Sequence, residues 1–127
     1  MPIKFKVVER GEPGVTGGGV HKYYASPVMS GELDLDQLTK MIEKISTVSG
    51  ADIRAVLYAL VDVSVDQLSN GQIIRLGELG SLRISLSSEG KDRPEDVSSL
   101  SVKKSSVLFT PGKRIKEMLI IAKYQKE

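Results

Sequence analysis

The chain has no cysteine and a single histidine, His21. The first absence excludes disulfides and thiolate metal sites, and it fits a cytoplasmic address. The second leaves no histidine pair for a metal site and no histidine relay for catalysis. No apolar run approaches the roughly 18–20 residues that a membrane helix needs. The opening residues, MPIKFKVVERGE, lack the apolar segment of a secretory signal. An excess of one charge is missing too: 18 Lys and Arg stand against 16 Asp and Glu, a net charge of +2. Carboxylate pairs suited to acid–base work are also lacking. Asp34 and Asp36 sit at a helix start, and Glu95 and Asp96 in a loop. Asp62 and Asp66, one helical turn apart, read as a solvated acidic face rather than a cation site. The expectation is a protein that is not an enzyme, with no cofactor, no metal and no small-molecule substrate.

What is present fits one globular domain. The chain has 127 residues, 40% hydrophobic and 27% charged, enough to bury a core. The small net charge is unevenly spread. Residues 34–70 carry three Lys/Arg against six Asp/Glu, whereas residues 105–127 carry five against two. A basic end beside acidic central helices can orient a protein toward a polyanion.

The stretch from Asn70 to Leu86, NGQIIRLGELGSLRISL, organises the rest. Asn70-Gly71 is a turn signal, and Gly77 and Gly80 bracket a reversal around Glu78-Leu79. Leu82, Ile84 and Leu86 then alternate with Ser81, Arg83 and Ser85, the period of a strand with one apolar face and one open face. Upstream, Leu35, Leu38, Met41, Ile42 and Ile45 mark an amphipathic helix over 34–46, which Asp34 or Asp36 can cap. Ser49 is an N-cap for a second helix over 50–69, making an αα-hairpin. That second helix is apolar around most of its circumference, with Ala55, Ala59, Val63 and Val65 lying off the Ile53-Leu57-Leu60 stripe. A chain this short supplies too little cover for it, so a second copy is expected to do so, as a symmetric dimer.

Residues 1–33 read as an N-terminal extension. Ile3, Phe5 and Val7 alternate with Lys4 and Lys6 as a strand, and residues 21–29 offer a second strand to pair with it. Between them RGEPGVTGGG is a flexible loop, with neither the spacing nor the following helix of a phosphate-binding motif. After the hairpin, residues 87–106 are polar, and Leu100 and Val102 at strand spacing suggest a two-stranded arm. Val107-Leu108-Phe109 returns to the sheet and Thr110-Pro111-Gly112 turns the chain. Ile115, Met118, Leu119 and Ala122 then form the buried face of a last, basic helix.

Two motifs, NGQIIRLGELGSL at 70–82 and VLFTPGKRIKEML at 107–119, carry a resemblance. With the two helices before them, residues 34–119 resemble the HU/IHF family of bacterial histone-like, DNA-bending proteins. The extra N-terminus and the SSEG and PGK segments resemble the extended HU-like proteins of the Bacteroides group. The implied fold is α+β and HU/IHF-like. An N-terminal αα-hairpin leads to a β-sheet saddle with a protruding arm and a short C-terminal helix, in an intertwined homodimer. The implied partner is double-stranded DNA, bound with little sequence preference in the nucleoid. Pro94 lies near the family's arm-tip proline, eight residues before Val102, where it would wedge between base pairs. Lys113 and Lys116 match basic positions beside the DNA backbone. Further candidate contacts are Arg75, Arg83 and Arg114, with Lys91, Arg93, Lys103 and Lys104 from the arm.

The sequence departs from the family where phosphate should be met. Arg93 replaces the asparagine before the proline, and Thr110 the lysine before Pro-Gly. Glu78 stands near the first hairpin glycine. The arm is nearly neutral, its Lys91, Arg93, Lys103 and Lys104 facing Glu89, Asp92, Glu95 and Asp96. These departures suit a second reading, a dimeric protein-interaction or scaffold module on the same fold with weak DNA binding.

Overall fold

The computed structural model describes residues 2–12 and 14–127. The element order is β1 (Ile3–Arg10), β2 (Lys22–Pro27), α1 (Leu35–Ile45), α2 (Gly50–Ser69), β3 (Ile74–Arg75), β4 (Gly80–Ser88), β5 (Val102–Pro111), α3 (Lys113–Ile121) and β6 (Tyr124–Lys126). Three helices thus accompany two separate three-stranded sheets, ordered β2-β1-β6 and β3-β4-β5.

The helical hairpin starts where capping chemistry allows. Asp34 accepts from the Gln37 backbone N–H at 2.9 Å, and the Gln37 side chain accepts in return from the Asp34 N–H at 3.0 Å. This reciprocal pair satisfies two of the donors that a helix start leaves orphaned. Ser49 caps α2 by accepting from the Asp52 N–H at 3.3 Å. The two helices approach closely at Thr39 and Gly50, where a Cβ on Gly50 would press on Glu43 and Thr39. Thr39 is buried, its hydroxyl donating to the Leu35 carbonyl at 2.7 Å. Arg54 reaches Asp36 across the pair at 3.0 Å, a half-exposed contact of small energetic weight.

The sheet β3-β4-β5 is antiparallel throughout. Gly77, at φ +61°, belongs to the tight reversal that joins β3 to β4. Gly80, at φ +144°, is the sterically demanding position. A Cβ there would collide with the Thr110 carbonyl and the Phe109 ring. The β4–β5 ladder runs from Gly80 opposite Pro111 to Ser88 opposite Val102, with an irregularity at Ser87/Ser88 that leaves Lys103 unpaired in register. Thr110 and Pro111 therefore belong to the strand, and the chain turns only at Gly112. The connection from Glu89 to Ser101 does not continue as extended strands. It contains two short 3₁₀ turns, Pro94–Asp96 and Ser99–Ser101, the second capped by Ser98. Leu100 lies in a turn and is almost fully exposed, so only Val102 of the expected strand pair is in a strand.

In the other sheet β1 is central. It pairs antiparallel with β2, from Phe5 opposite Pro27 to Arg10 opposite Lys22, and parallel with β6, from Ile3 opposite Tyr124 to Phe5 opposite Lys126. The glycine-rich connector between β1 and β2 folds back on itself. The Glu12 N–H donates to the Gly18 carbonyl, and Gly18 to that of Val15 at 2.9 Å. Pro13, part of that connector in the sequence, lies outside the described residues.

Among the described residues Ile53 is the one large apolar side chain that is buried. The chain exposes 10653 Å², whereas a compact monomer of 13.8 kDa would expose roughly 6,600 Å². Val56, Val61, Val63 and Val65 on α2 lie open, as do Ile120 and Ile121 at the end of α3. Met118 and Leu119 are about half exposed as well, so the apolar face of α3 is not covered within one chain.

Candidate nucleic-acid interface

Ladder register divides the β3-β4-β5 sheet into two chemically distinct faces. Residues directly opposite one another project to the same side, and neighbours along a strand alternate. Ile74, Leu82 and Phe109 form one row, and Ile84 opposite Val107 extends it, giving an apolar face. On the reverse side Arg75, Ser81 and Thr110 form a row. It continues through Arg83 opposite Leu108, Ser85 opposite Ser106, and Ser87 opposite Lys104. Three cations thus share one face with five hydroxyls. The small serines leave the face low between the longer side chains. Ser81 is buried and Ser85 and Ser87 are half-buried, while Arg75, Arg83 and Lys104 stay exposed.

Helix α3 completes this face at one end. Gly112 lets the start of α3 approach the β3–β4 turn, because a Cβ at that position would overlap the Glu78 carbonyl. The Gly112 N–H is held by the Leu79 carbonyl at 3.0 Å. Beyond it, an open concavity of about 570 Å³ is lined by Arg75, Ser81, Thr110, Lys113, Lys116 and Glu117, among others. Residues from β3, β4, β5 and α3 meet there. No side chain caps the start of α3, so its first N–H groups remain available and add positive potential to that of Lys113 and Lys116.

The ten candidate residues fall into four groups by surroundings. Arg75, Lys113 and Lys116 converge on the concavity, and Arg83 and Lys104 continue the same face. None of these five makes an ion pair among the described residues, and neither does Lys103 at the ladder irregularity. Lys91 and Arg93 lie in the distal connection and are partly neutralised. Lys91 meets Glu89 at 3.3 Å, and Arg93 meets Asp96 at 3.3 Å and Glu95 at 3.7 Å. Pro94, exposed, opens the 3₁₀ turn next to them. Arg114 stands apart from the concavity, where its guanidinium contacts Glu78 at 3.5 Å. Sequence reasoning assigned no role to Ser87 or Ser106. Their signal was present as the i, i+2 spacing of hydroxyls along β4 and β5.

The described residues contain no cluster of three or more His, Cys, Asp or Glu side chains placed to hold a metal. His21 faces Glu9 at 3.6 Å, both about half exposed. No helix among the described residues is long and apolar enough to cross a membrane.

Known proteins place this architecture in context. No curated protein matches the chain. Among solved structures, the chain is similar to a crystal structure from Bacteroides vulgatus, a protein provisionally described as a bacterial DNA-binding protein. The TM-score is 0.66 at 14% identity, over 99% of this chain and 49% of the other. The likeness is one of fold, and the chain spans about half the length of that protein. A family profile described as an HU domain fused to wHTH, Ig, or glycine-rich motif matches residues 1–126. With its helical hairpin, three-stranded sheet and closing helix, the chain belongs to this HU-HIG family.

Proposed function

We propose that the protein is a non-enzymatic, largely sequence-independent DNA-binding protein that acts as a dimer and bends the duplex. The observation that carries this reading is the hydroxyl-rich face bearing Arg75, Arg83 and Lys104 and joined at one end by Lys113 and Lys116. Five cations without acidic partners, interleaved with short hydroxyls, suit a phosphate backbone. Lysine and arginine displace its counterions, while serine and threonine donate hydrogen bonds. Phosphate contacts of this kind position a duplex without specifying its sequence. The HU-HIG family and the provisional DNA-binding description of the Bacteroides vulgatus protein point the same way.

Dimerisation is supported by the exposed apolar surface. The excess over a compact monomer, roughly 4,000 Å² per chain, is ample for the roughly 1,000–2,500 Å² per partner that obligate interfaces bury. A second chain would cover both the outer side of α2 and the apolar side of α3. On this reading residues 34–127 form the HU-like unit and residues 1–33 an appended one, with β4, β5 and their connection as an arm that reaches along DNA in the bacterial cytoplasm. Pro94 would then be the wedge that kinks the duplex. A fluorescence-resonance assay of end-labelled DNA should show Pro94→Ala bending less while binding within about threefold of wild type, since a wedge acts mainly on deformation.

The test of the function is an anisotropy titration with a duplex of about 30 base pairs at 50 and 200 mM salt. If about four cations per protomer engage, the log–log salt slope for the dimer is roughly −7. A slope near zero would refute phosphate-driven binding. One observation favours a rival. Lys91, Arg93 and Arg114 already have acidic partners, as in a protein-interaction module with little DNA affinity. Absence of binding at 50 mM salt would select it.

A further inference from the structure

The β2-β1-β6 sheet is also two-faced, and one of its faces is basic. Register places Ile3, Phe5 and Val7 with Ala25, Pro27 and Tyr124 on one side. The opposite side carries Lys4, Lys6 and Arg10 from β1, with Lys22 and Tyr24 from β2. All four cations are exposed, and none makes an ion pair among the described residues. Glu9, the acid within β1, projects to the apolar side next to His21. Glu127, next in register beyond β6, falls on the basic side at its edge and makes no ion pair among the described residues.

We propose that this face is a second phosphate-binding surface for duplex DNA, remote in sequence from the first and resting on the DNA-binding function proposed above. A merely solvated face ordinarily mixes both signs of charge, which avoids repulsion. Here four cations stand against a single acid, Glu127 at the edge of the face. Arg10 lies directly opposite Lys22 in the ladder, and like charges so placed destabilise a sheet. A bound anion removes that repulsion. From Lys4 to Arg10 the strand covers about 20 Å, the axial length of about six successive phosphates on one DNA strand. Arg10 and Tyr24 line a shared concavity of about 260 Å³, where the phenol and guanidinium can both donate to one phosphate. The face is poor in the apolar anchors on which protein partners depend: Val8 is half-buried, and Tyr24 carries a polar tip. These features favour nucleic acid over an acidic protein.

The experiment compares forms of the whole 127-residue chain by salt-dependent anisotropy on a duplex of about 30 base pairs. They are wild type, a Lys4→Gln/Lys6→Gln/Arg10→Gln/Lys22→Gln variant, and a Lys113→Gln/Lys116→Gln variant. Lys126→Gln, on the apolar-side rows of the same sheet, controls for loss of charge in general, and circular dichroism controls for folding. The expected result is that the fourfold variant, folded as wild type, loses at least tenfold in affinity at 50 mM salt. Its salt slope should become shallower by 2 or more, since each lost phosphate contact removes nearly one unit. Arg10→Gln alone should raise the Tm without DNA by about 1–3 °C by relieving the cross-strand repulsion, while lowering affinity. A fourfold variant that binds like wild type, while Lys113→Gln/Lys116→Gln weakens binding, overturns this proposal and leaves the DNA-binding function standing. Wild type that does not bind at 50 mM salt overturns both.

Discussion

The two sheets are built alike and assembled differently. Each has three strands, one apolar face and one face with cations that make no ion pair among the described residues. The β3-β4-β5 sheet is all antiparallel and made from neighbours in sequence. The β2-β1-β6 sheet joins the two ends of the chain, with Ile3 donating to the Lys123 carbonyl and Glu127 to that of Phe5, both at 2.8 Å. The first is shaped by glycines wedged against backbone, at Gly80 and Gly112. The second has its glycines in a connector where Gly14 and Gly17 meet open space and only Gly11 presses on backbone, that of Gly18. The difference teaches where each sheet is vulnerable. One depends on close local approach, the other on a closure across nearly the whole chain.

The largest expected effect concerns DNA. On the proposed reading, Lys113→Gln/Lys116→Gln removes two DNA contacts per protomer, so the salt slope of a dimer should become shallower by about 3–4 and affinity at low salt should fall about 100-fold or more. An unchanged slope would place DNA elsewhere on the molecule. Next comes stability. Gly80→Val combines a positive φ of +144° with a collision against Thr110 and Phe109, so thermal melts should show a loss of about 3 kcal/mol or more. Gly17→Ala, strained at φ +78° but with open space around it, should cost only about 1 kcal/mol. Equal losses would erase the contrast between the sheets. Removing residues 123–127 takes away β6 and should weaken β1 by about 2 kcal/mol, from the loss of its parallel hydrogen bonds. Hydrogen exchange should report this over residues 3–8 and leave β4 and β5 unchanged. The smallest effect belongs to Arg114→Gln. Its side chain is three-quarters exposed and engaged with Glu78, so affinity should change less than about threefold, less than for either lysine of α3.

Much of this architecture was legible along the chain. The i, i+3, i+7 apolar spacing of α1 and the caps Asp34 and Ser49 are local signals, and the helices begin where those caps allow. The alternation from Ser81 to Leu86 marks β4 in the same way. Other features escaped a local reading. Strand β6 is only three residues long and has no pattern of its own, because its strand character comes from pairing with β1 more than a hundred residues earlier. Leu100 and Val102 share strand spacing, yet Ser98 caps a 3₁₀ turn that takes Leu100 out of the ladder. For the candidate site, residue type alone ranked all ten positions together. Their separation into five cations on one basic face, Lys103 at its irregular edge, a neutralised distal group with Pro94, and an outlying Arg114 depends on register and on acids brought near by folding.

Sequence by itself determined the helices, their caps, the turn glycines and the alternating strands, because those are decided by backbone sterics and by periodicities of a few residues. Only the tertiary structure decided which cations share a face with hydroxyls, which have acidic partners, and that the two ends of the chain close one sheet. Coulombic pairing and ladder register depend on distances in space, and those distances link residues the sequence holds far apart.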